Sequence, residues 1–133
     1  MPQMNKGGKW AFGWCVVGTN REIQIPPEAY AEYGFQAEEL VIFLHGSRRS
    51  GGFSVGRLEK LARTTSPILR RSLGQGAIWG ERQVIAPKDL DIQPGERLLA
   101  VRGSGYAVLF LRHGPIFDEA LKHPEIEIFT ITL

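Results

Sequence analysis

One short stretch of this chain is written twice. Arg21-Glu22-Ile23-Gln24-Ile25-Pro26 lines up with Arg82-Gln83-Val84-Ile85-Ala86-Pro87, 61 residues further on. Glu39 then heads Leu40-Val41-Ile42-Phe43-Leu44-His45-Gly46-Ser47, and Glu96 heads Arg97-Leu98-Leu99-Ala100-Val101-Arg102-Gly103-Ser104, at a separation of 57. The separations differ by four residues, about one turn of α-helix. Two unequal copies of one unit, the second a helical turn shorter, account for this spacing. Such self-similarity constrains the fold more than composition does. Neither copy is long enough to close a core alone. The 133 residues together suffice for one domain, or for two intertwined units sharing a core. A chain of this size buries roughly two-thirds of the surface its unfolded form exposes.

Each copy reads as strand, short helix, strand, turn, strand. Trp10–Val17 and Glu22–Ile25 are rich in β-branched and aromatic residues, which suit a pleated surface. Pro26-Pro27 stops the second strand and opens a helix, where a missing N–H loses nothing. Ala29 and Tyr33 share a face of that helix, and Gly34 is placed to end it. Leu40–Leu44 is a continuous apolar run for a buried strand; residues 46–52 form a hairpin tip, and Phe53-Ser54-Val55 returns. The second copy has Trp79, Arg82–Ala86, a single turn at Lys88-Asp89-Leu90, then Leu98–Arg102 and Tyr106–Leu111 across a tight Gly103-Ser104-Gly105 hairpin. Between the copies, Leu58, Leu61 and Ala62 form a helical stripe. Ser66-Pro67 opens a second helical stretch through Ile68, Leu69 and Leu73, ended by Gly74. A helix near Ile116–Lys122 and a strand over Glu125–Leu133 complete the expected elements.

The pattern of strand, Ile-x-Ile-Pro, short helix, Gly-Phe, acidic residue and apolar hairpin resembles the SpoVT/AbrB swapped-hairpin family of bacterial transition-state regulators and addiction antitoxins. The resemblance rests on Ile23–Pro26, Gly34-Phe35 and Glu38-Glu39-Leu40 in the first copy. In the second it rests on Val84–Pro87 and Gln93–Leu98. It covers somewhat over half the chain. It implies a mainly β fold with short helices, in which two hairpins interleave into a DNA-binding barrel. Here one chain would supply both hairpins as an intrachain pseudodimer. Residues 9–56 would be the first repeat, 57–76 a helical basic linker, 77–113 the shortened second repeat, and 114–133 a C-terminal helix and strand, all in one compact domain. The chain departs from the family where Gly-Arg precedes the strand. Arg21 and Arg82 are displaced by one position, which turns a strand side chain to the opposite face. The first helix carries Tyr30, Ala31 and Glu32 where the family is basic.

Charge supplies the candidate site. Sixteen Lys+Arg against fourteen Asp+Glu exclude a polybasic coat or an acidic tail, yet the distribution is uneven. Arg48, Arg49, Arg57, Lys60, Arg63, Arg70 and Arg71 face Glu59 alone within 24 residues, a net +6 that leaves −4 elsewhere. Arginines on a Gly/Ser tip approach phosphates closely, and a basic face supplies the sequence-independent part of nucleic-acid binding. These seven residues, with Arg21 and Arg82 at equivalent strand starts, are the expected DNA contacts.

Other chemistry is weaker. The Gly46–Gly52 tip lacks the Gly-Lys-Ser/Thr ending of a P-loop. His45, His113 and His123 have no metal-ligand spacing and no cysteine cluster. Cys15, between Trp14 and Val16, reads as a small buried hydrophobe and cannot form an intrachain disulfide. Glu38-Glu39, Asp89/Asp91 and Glu125/Glu127 read as surface carboxylates, and Trp10, Trp14, Trp79 and Tyr106 as barrel aromatics rather than base-stacking platforms. No nucleophile motif appears. The expectation is a non-enzymatic transcriptional regulator or antitoxin-type protein that binds DNA and needs no cofactor, metal or small-molecule substrate. The alternative is a protein-interaction module that keeps the same barrel and has lost DNA binding, its C-terminal strand suited to pairing with another chain's edge, in a homodimer or with a partner. No run approaches the ~20 apolar residues of a membrane span, and Trp10–Gly18 is too short and too polar in its flank for a signal peptide. A cytoplasmic protein is expected.

Overall fold

The structure, a computed structural model, describes residues 2–3, 10–46, 51–63 and 70–131. Among these the chain is mainly β. In order it forms β1 (Ala11–Val16), β2 (Glu22–Gln24), α1 (Pro27–Glu32), β3 (Leu40–His45), β4 (Phe53–Arg57), α2 (Leu58–Ala62), β5 (Ser72–Ala77), β6 (Gln83–Ile85), β7 (Arg97–Val101), β8 (Ala107–Leu111), α3 (Pro115–Ala120) and β9 (Ile128–Phe129). Pro27 and Pro115 sit in the first turns of α1 and α3, where proline fits. In the second half, Lys88–Leu90 is a turn with no helix.

Seven strands form one mixed sheet in the order β5-β3-β4-β8-β7-β1-β9, and β2 and β6 form a separate antiparallel ribbon. The seven-stranded sheet is not closed: β5 and β9 are its edges. Exchanging β1 with β5, β3 with β7 and β4 with β8 leaves the order of those six strands unchanged. Val55 pairs with Val108 and Phe53 with Phe110 at the centre. The third strand of each half pairs not with its own first strand but with the first strand of the other half: β7 with β1, and β3 with β5.

Strand alternation sorts the apolar residues into three packed clusters. On the inner face Phe43, Phe53, Val55, Leu98, Val108 and Phe110 meet Ile23, Ile25 and Val84 of the ribbon, with Phe53 and Phe110 stacked at 5.2 Å. On the outer face, α2 places Leu58 and Leu61 over Ile42 and Leu44. There too α3 places Ile116, Phe117 and Ala120 over Trp14, Leu99 and Val101. The result is three layers: ribbon, sheet, and two short helices.

Two expectations need correction. Leu73 and Gly74, read as the end of a helical stretch, lie in strand β5, so residues 72–76 are strand rather than helical linker; Ser66–Leu69 lie outside the described residues. Five partners along β3 outweigh the poor strand propensity of Ser-Leu-Gly-Gln-Gly-Ala. Glycine is needed at 74, since a Cβ there would stand 2.7 Å from Pro87 Cβ. Second, the C-terminal strand is only Ile128–Phe129. It pairs in parallel with β1 of its own chain, Trp14 opposite Ile128 and Cys15 opposite Phe129.

Candidate nucleic-acid interface

The two repeated arginines occupy matching turns at the start of the ribbon strands. Both have left-handed backbones, φ 64° at Arg21 and 59° at Arg82, a conformation that costs about 1 kcal/mol or more outside glycine. Reciprocal bonds hold it. Ala86 N–H donates to Arg21 O at 3.1 Å, and Ile25 N–H donates to Arg82 O at 2.8 Å. The side chains cross to the opposite half. Arg82 Nε donates to Ile25 O at 3.2 Å. The Arg21 guanidinium donates to Ile92 O and Pro87 O at 3.1 Å each, to Ala86 O at 3.5 Å, and to Leu90 O. Arg21 therefore gathers the carbonyls of the turn from Ala86 to Ile92. Both side chains are only partly exposed, and they bind backbone rather than facing outward.

The same matching runs through the neighbouring turns. Glu38 N–H donates to Ile78 O and Ile78 N–H to Glu39 O; Gly95 N–H donates to Val17 O and Val17 N–H to Glu96 O. Glu39 accepts from Gln36 N–H at 2.8 Å and Glu96 from Gln93 N–H at 3.1 Å. Glu38 and Gly95 both have positive φ. Glu39 pairs with Arg57, and Glu96 with Arg112 at 2.7 Å. Glu39 and Glu96 are thus turn-closing carboxylates. Asp91 is held below the usual carboxylate range by its hydrogen bond from Arg112.

The basic segment is partly neutralised. Arg57 is bound to Glu39 and lies 3.7 Å from Glu59, and Arg63 pairs with Glu59 at 2.5 Å, one turn away. Lys60 Nζ donates to Gly105 O at 3.2 Å and stands over the Tyr106 ring at the second hairpin tip. Arg71 donates to His45 O at 2.7 Å, and Arg70 is exposed with no carboxylate partner among the described residues. Arg48 and Arg49 lie outside the described residues. The bond to His45 O fixes Arg71 to the end of β3, beside Gly46, where the first hairpin tip begins. Lys60 belongs to the other tip. The segment is therefore split between the two hairpin ends.

Elsewhere the groups are structural. Cys15 is buried, donates to Gln24 O at 3.4 Å, and its thiol is pushed up from its ordinary value by burial. Among the described residues no three His, Cys, Asp or Glu side chains are grouped to hold a metal, and no helix is long and apolar enough to cross a membrane. His123 bridges Glu125 at 2.8 Å. The sequence reading missed strand β5 and the apolar side chains around it, Leu40, Trp79 and Ile85, each about half exposed. A signal for the strand was present: the 61-residue shift carries Ala11–Val16 onto Ser72–Ala77. No family model, curated protein or solved structure matches this chain.

Proposed function

We propose that this chain is a duplicated swapped-hairpin protein, both halves of an AbrB-like barrel in one polypeptide, that binds DNA as a transcriptional regulator or antitoxin-type protein of the cytoplasm. The exchange of first strands between halves and the matched bonds at Arg21/Arg82, Glu38/Gly95 and Glu39/Glu96 support the duplication. The β2–β6 ribbon, packed over the sheet's inner face, supports a barrel-like enclosure of the core. One observation carries the DNA reading: Arg71 is bonded to His45 O at 2.7 Å. That contact joins Arg70-Arg71 to the strand end from which Arg48 and Arg49 follow directly. DNA would meet this end through phosphates; Arg21 and Arg82 would act on it only by holding the fold.

The test is fluorescence anisotropy on a DNA duplex across a salt series. Affinity should fall steeply between 50 and 200 mM salt, and Arg70→Ala, at an exposed position, should lower the log–log slope by about 1. Absence of binding at micromolar protein in low salt would sink the proposal. A protein-interaction module on the same fold is the second reading. It is favoured by the engagement of both ribbon arginines with carbonyls, and by Glu28 and Glu32 on the exposed face of α1.

A further inference from the structure

The two ends of the seven-stranded sheet hold their cations differently. At the second hairpin tip the protein itself engages them. Arg102 makes two bonds to Glu32, at 2.7 and 2.5 Å, and Glu28 lies near enough to act on it as well. Arg57 is bound to Glu39, Arg63 pairs with Glu59 at 2.5 Å, and Lys60 turns back to Gly105 O. A phosphate arriving there would meet these carboxylates together with the cations, and like charges repel. The first hairpin end is different. Leu44 pairs with Ser72, His45 with Phe53, and Phe110 with both Phe53 and Ala100, so one edge of the sheet runs across β5, β3, β4, β8 and β7. Arg70 and Arg71 stand just outside β5 on this edge. The His113 imidazole lies against Gly51, where a Cβ would stand 2.6 Å from its Nε2, and Arg97 opens β7. Arg97 is exposed, its guanidinium over the Trp14 ring at 5.2 Å, with no carboxylate partner among the described residues. The nearby carboxylates, Asp91 and Glu96, are both bonded by Arg112.

We infer that Arg97 is a second phosphate anchor, and that the edge from Arg70-Arg71 to Arg97 is where the chain holds a single DNA duplex. This rests on the DNA reading above and deepens it. Four strand spacings separate β5 from β7, about 19 Å at ~4.8 Å each. Anchors so placed reach the phosphates on both walls of a major groove ~12 Å wide, with Arg70-Arg71 on one backbone and Arg97 on the other. Phosphate contacts of this kind fix position and register. The matched halves of the fold therefore do not give matched DNA contacts. One end binds, the other is occupied by its own ion pairs, and one chain takes one duplex.

Anisotropy of a short labelled duplex over a salt series, with the full chain, tests this. Arg97→Gln should lower the log–log slope by about 1, as a lost phosphate contact does. Arg97→Lys should restore the slope, because lysine keeps the charge without the planar contact to Trp14. Arg102→Gln, at the second tip, should leave the slope where it is, and a stoichiometric titration should saturate at one duplex per chain. A purely structural Arg97 would weaken binding in both of its variants with the slope unchanged. That result, an equal loss of slope in Arg102→Gln, or two duplexes per chain overturns the inference and leaves the DNA reading standing. A chain that binds no duplex at micromolar concentration in low salt overturns both.

Discussion

The halves of this molecule share their strand pairings and turn bonds, but their outer layers are packed to different depths. Trp14 stands opposite Leu99 on β7, and Gln75 stands opposite Ile42 on β3. Around Trp14 the layer is full. Phe117 of α3 meets the indole edge-on at 5.0 Å, the Arg97 guanidinium lies over it at 5.2 Å, and Ile126 closes the side. Over Ile42, the partner of Gln75, the described residues of α2 place Leu58 and Leu61. A groove of about 450 Å³ remains between α2 and β3, lined by Leu40, Leu58 and Ala62 with Glu39, Arg57 and Glu59. The turns need matched hydrogen bonds in both halves because a buried backbone group without a partner costs about as much in either. The outer layer has no such obligation. One half completes it with its own C-terminal residues; in the other, the described residues leave a groove beside α2.

The largest expected effect tests this difference directly. Trp14→Ala should destabilise the chain by about 3–5 kcal/mol, the range for emptying a packed aromatic site. Gln75→Ala should stay within about 0.5 kcal/mol, as exposed substitutions do. Paired denaturant titrations measure both. Equal losses would mean that the β5 side is packed as tightly as the β1 side.

The arginine pair sharpens the comparison from the opposite direction, because here the shorter half depends more on one side chain. At the start of α1 the Pro26 carbonyl accepts from Tyr30 N–H at 2.9 Å, and Arg82 adds one bond to Ile25 O. The second half has only a turn at that place, and the Arg21 guanidinium collects four of its carbonyls. Arg21→Ala should therefore cost about 2–3 kcal/mol, against about 1 kcal/mol for Arg82→Ala, using the usual worth of charge-assisted bonds. Chemical denaturation of the two variants gives the difference; a larger loss at Arg82 would contradict this account.

How much of this was legible beforehand depends on where the determining interaction lies. β3, β7 and β8 are continuous apolar runs, and α1 and α3 open with proline, so local sequence specifies them. Strand β5 is specified from outside: Ser-Leu-Gly-Gln-Gly-Ala has no apolar alternation, and its conformation follows from β3 on one side and from Pro87 and Ile85 pressing on its glycines. The expected length of β9 exceeds the observed one because Ile126-Glu127-Ile128 alternates and Phe129-Thr130-Ile131-Thr132 is rich in β-branched residues, whereas two residues find strand partners on β1. The charge pattern located a basic segment but not its division. Glu39 and Glu59, which neutralise Arg57 and Arg63, lie respectively on the neighbouring turn and one helical turn away. Positive φ at Arg21 and Arg82 has no sequence signature; it follows from the reciprocal bonds of the ribbon.

The smallest effect concerns the C-terminal cover itself. His123 follows α3 and bridges Glu125 at 2.8 Å and Glu119 at 3.5 Å. Hydrogen bonding to Glu125 raises the imidazole above its ordinary 6.5, with Glu119 adding to it. A group whose pKa is raised by folding stabilises the folded state fully below its unfolded value, and that contribution fades as pH rises through the folded value. The bridge should therefore support the α3–β9 connection at pH 6 and lapse by pH 8.5. It is solvent-exposed and the gain is small. Melting curves of the native chain and His123→Gln should diverge at pH 6 and converge at pH 8.5. The loosening should be local, which hydrogen exchange can resolve. The amide of Trp14, bonded to Glu127 O beneath this cover, should exchange faster at the higher pH once corrected for intrinsic rate, whereas the amide of Gln75, with no strand outside it among the described residues, should show no such change.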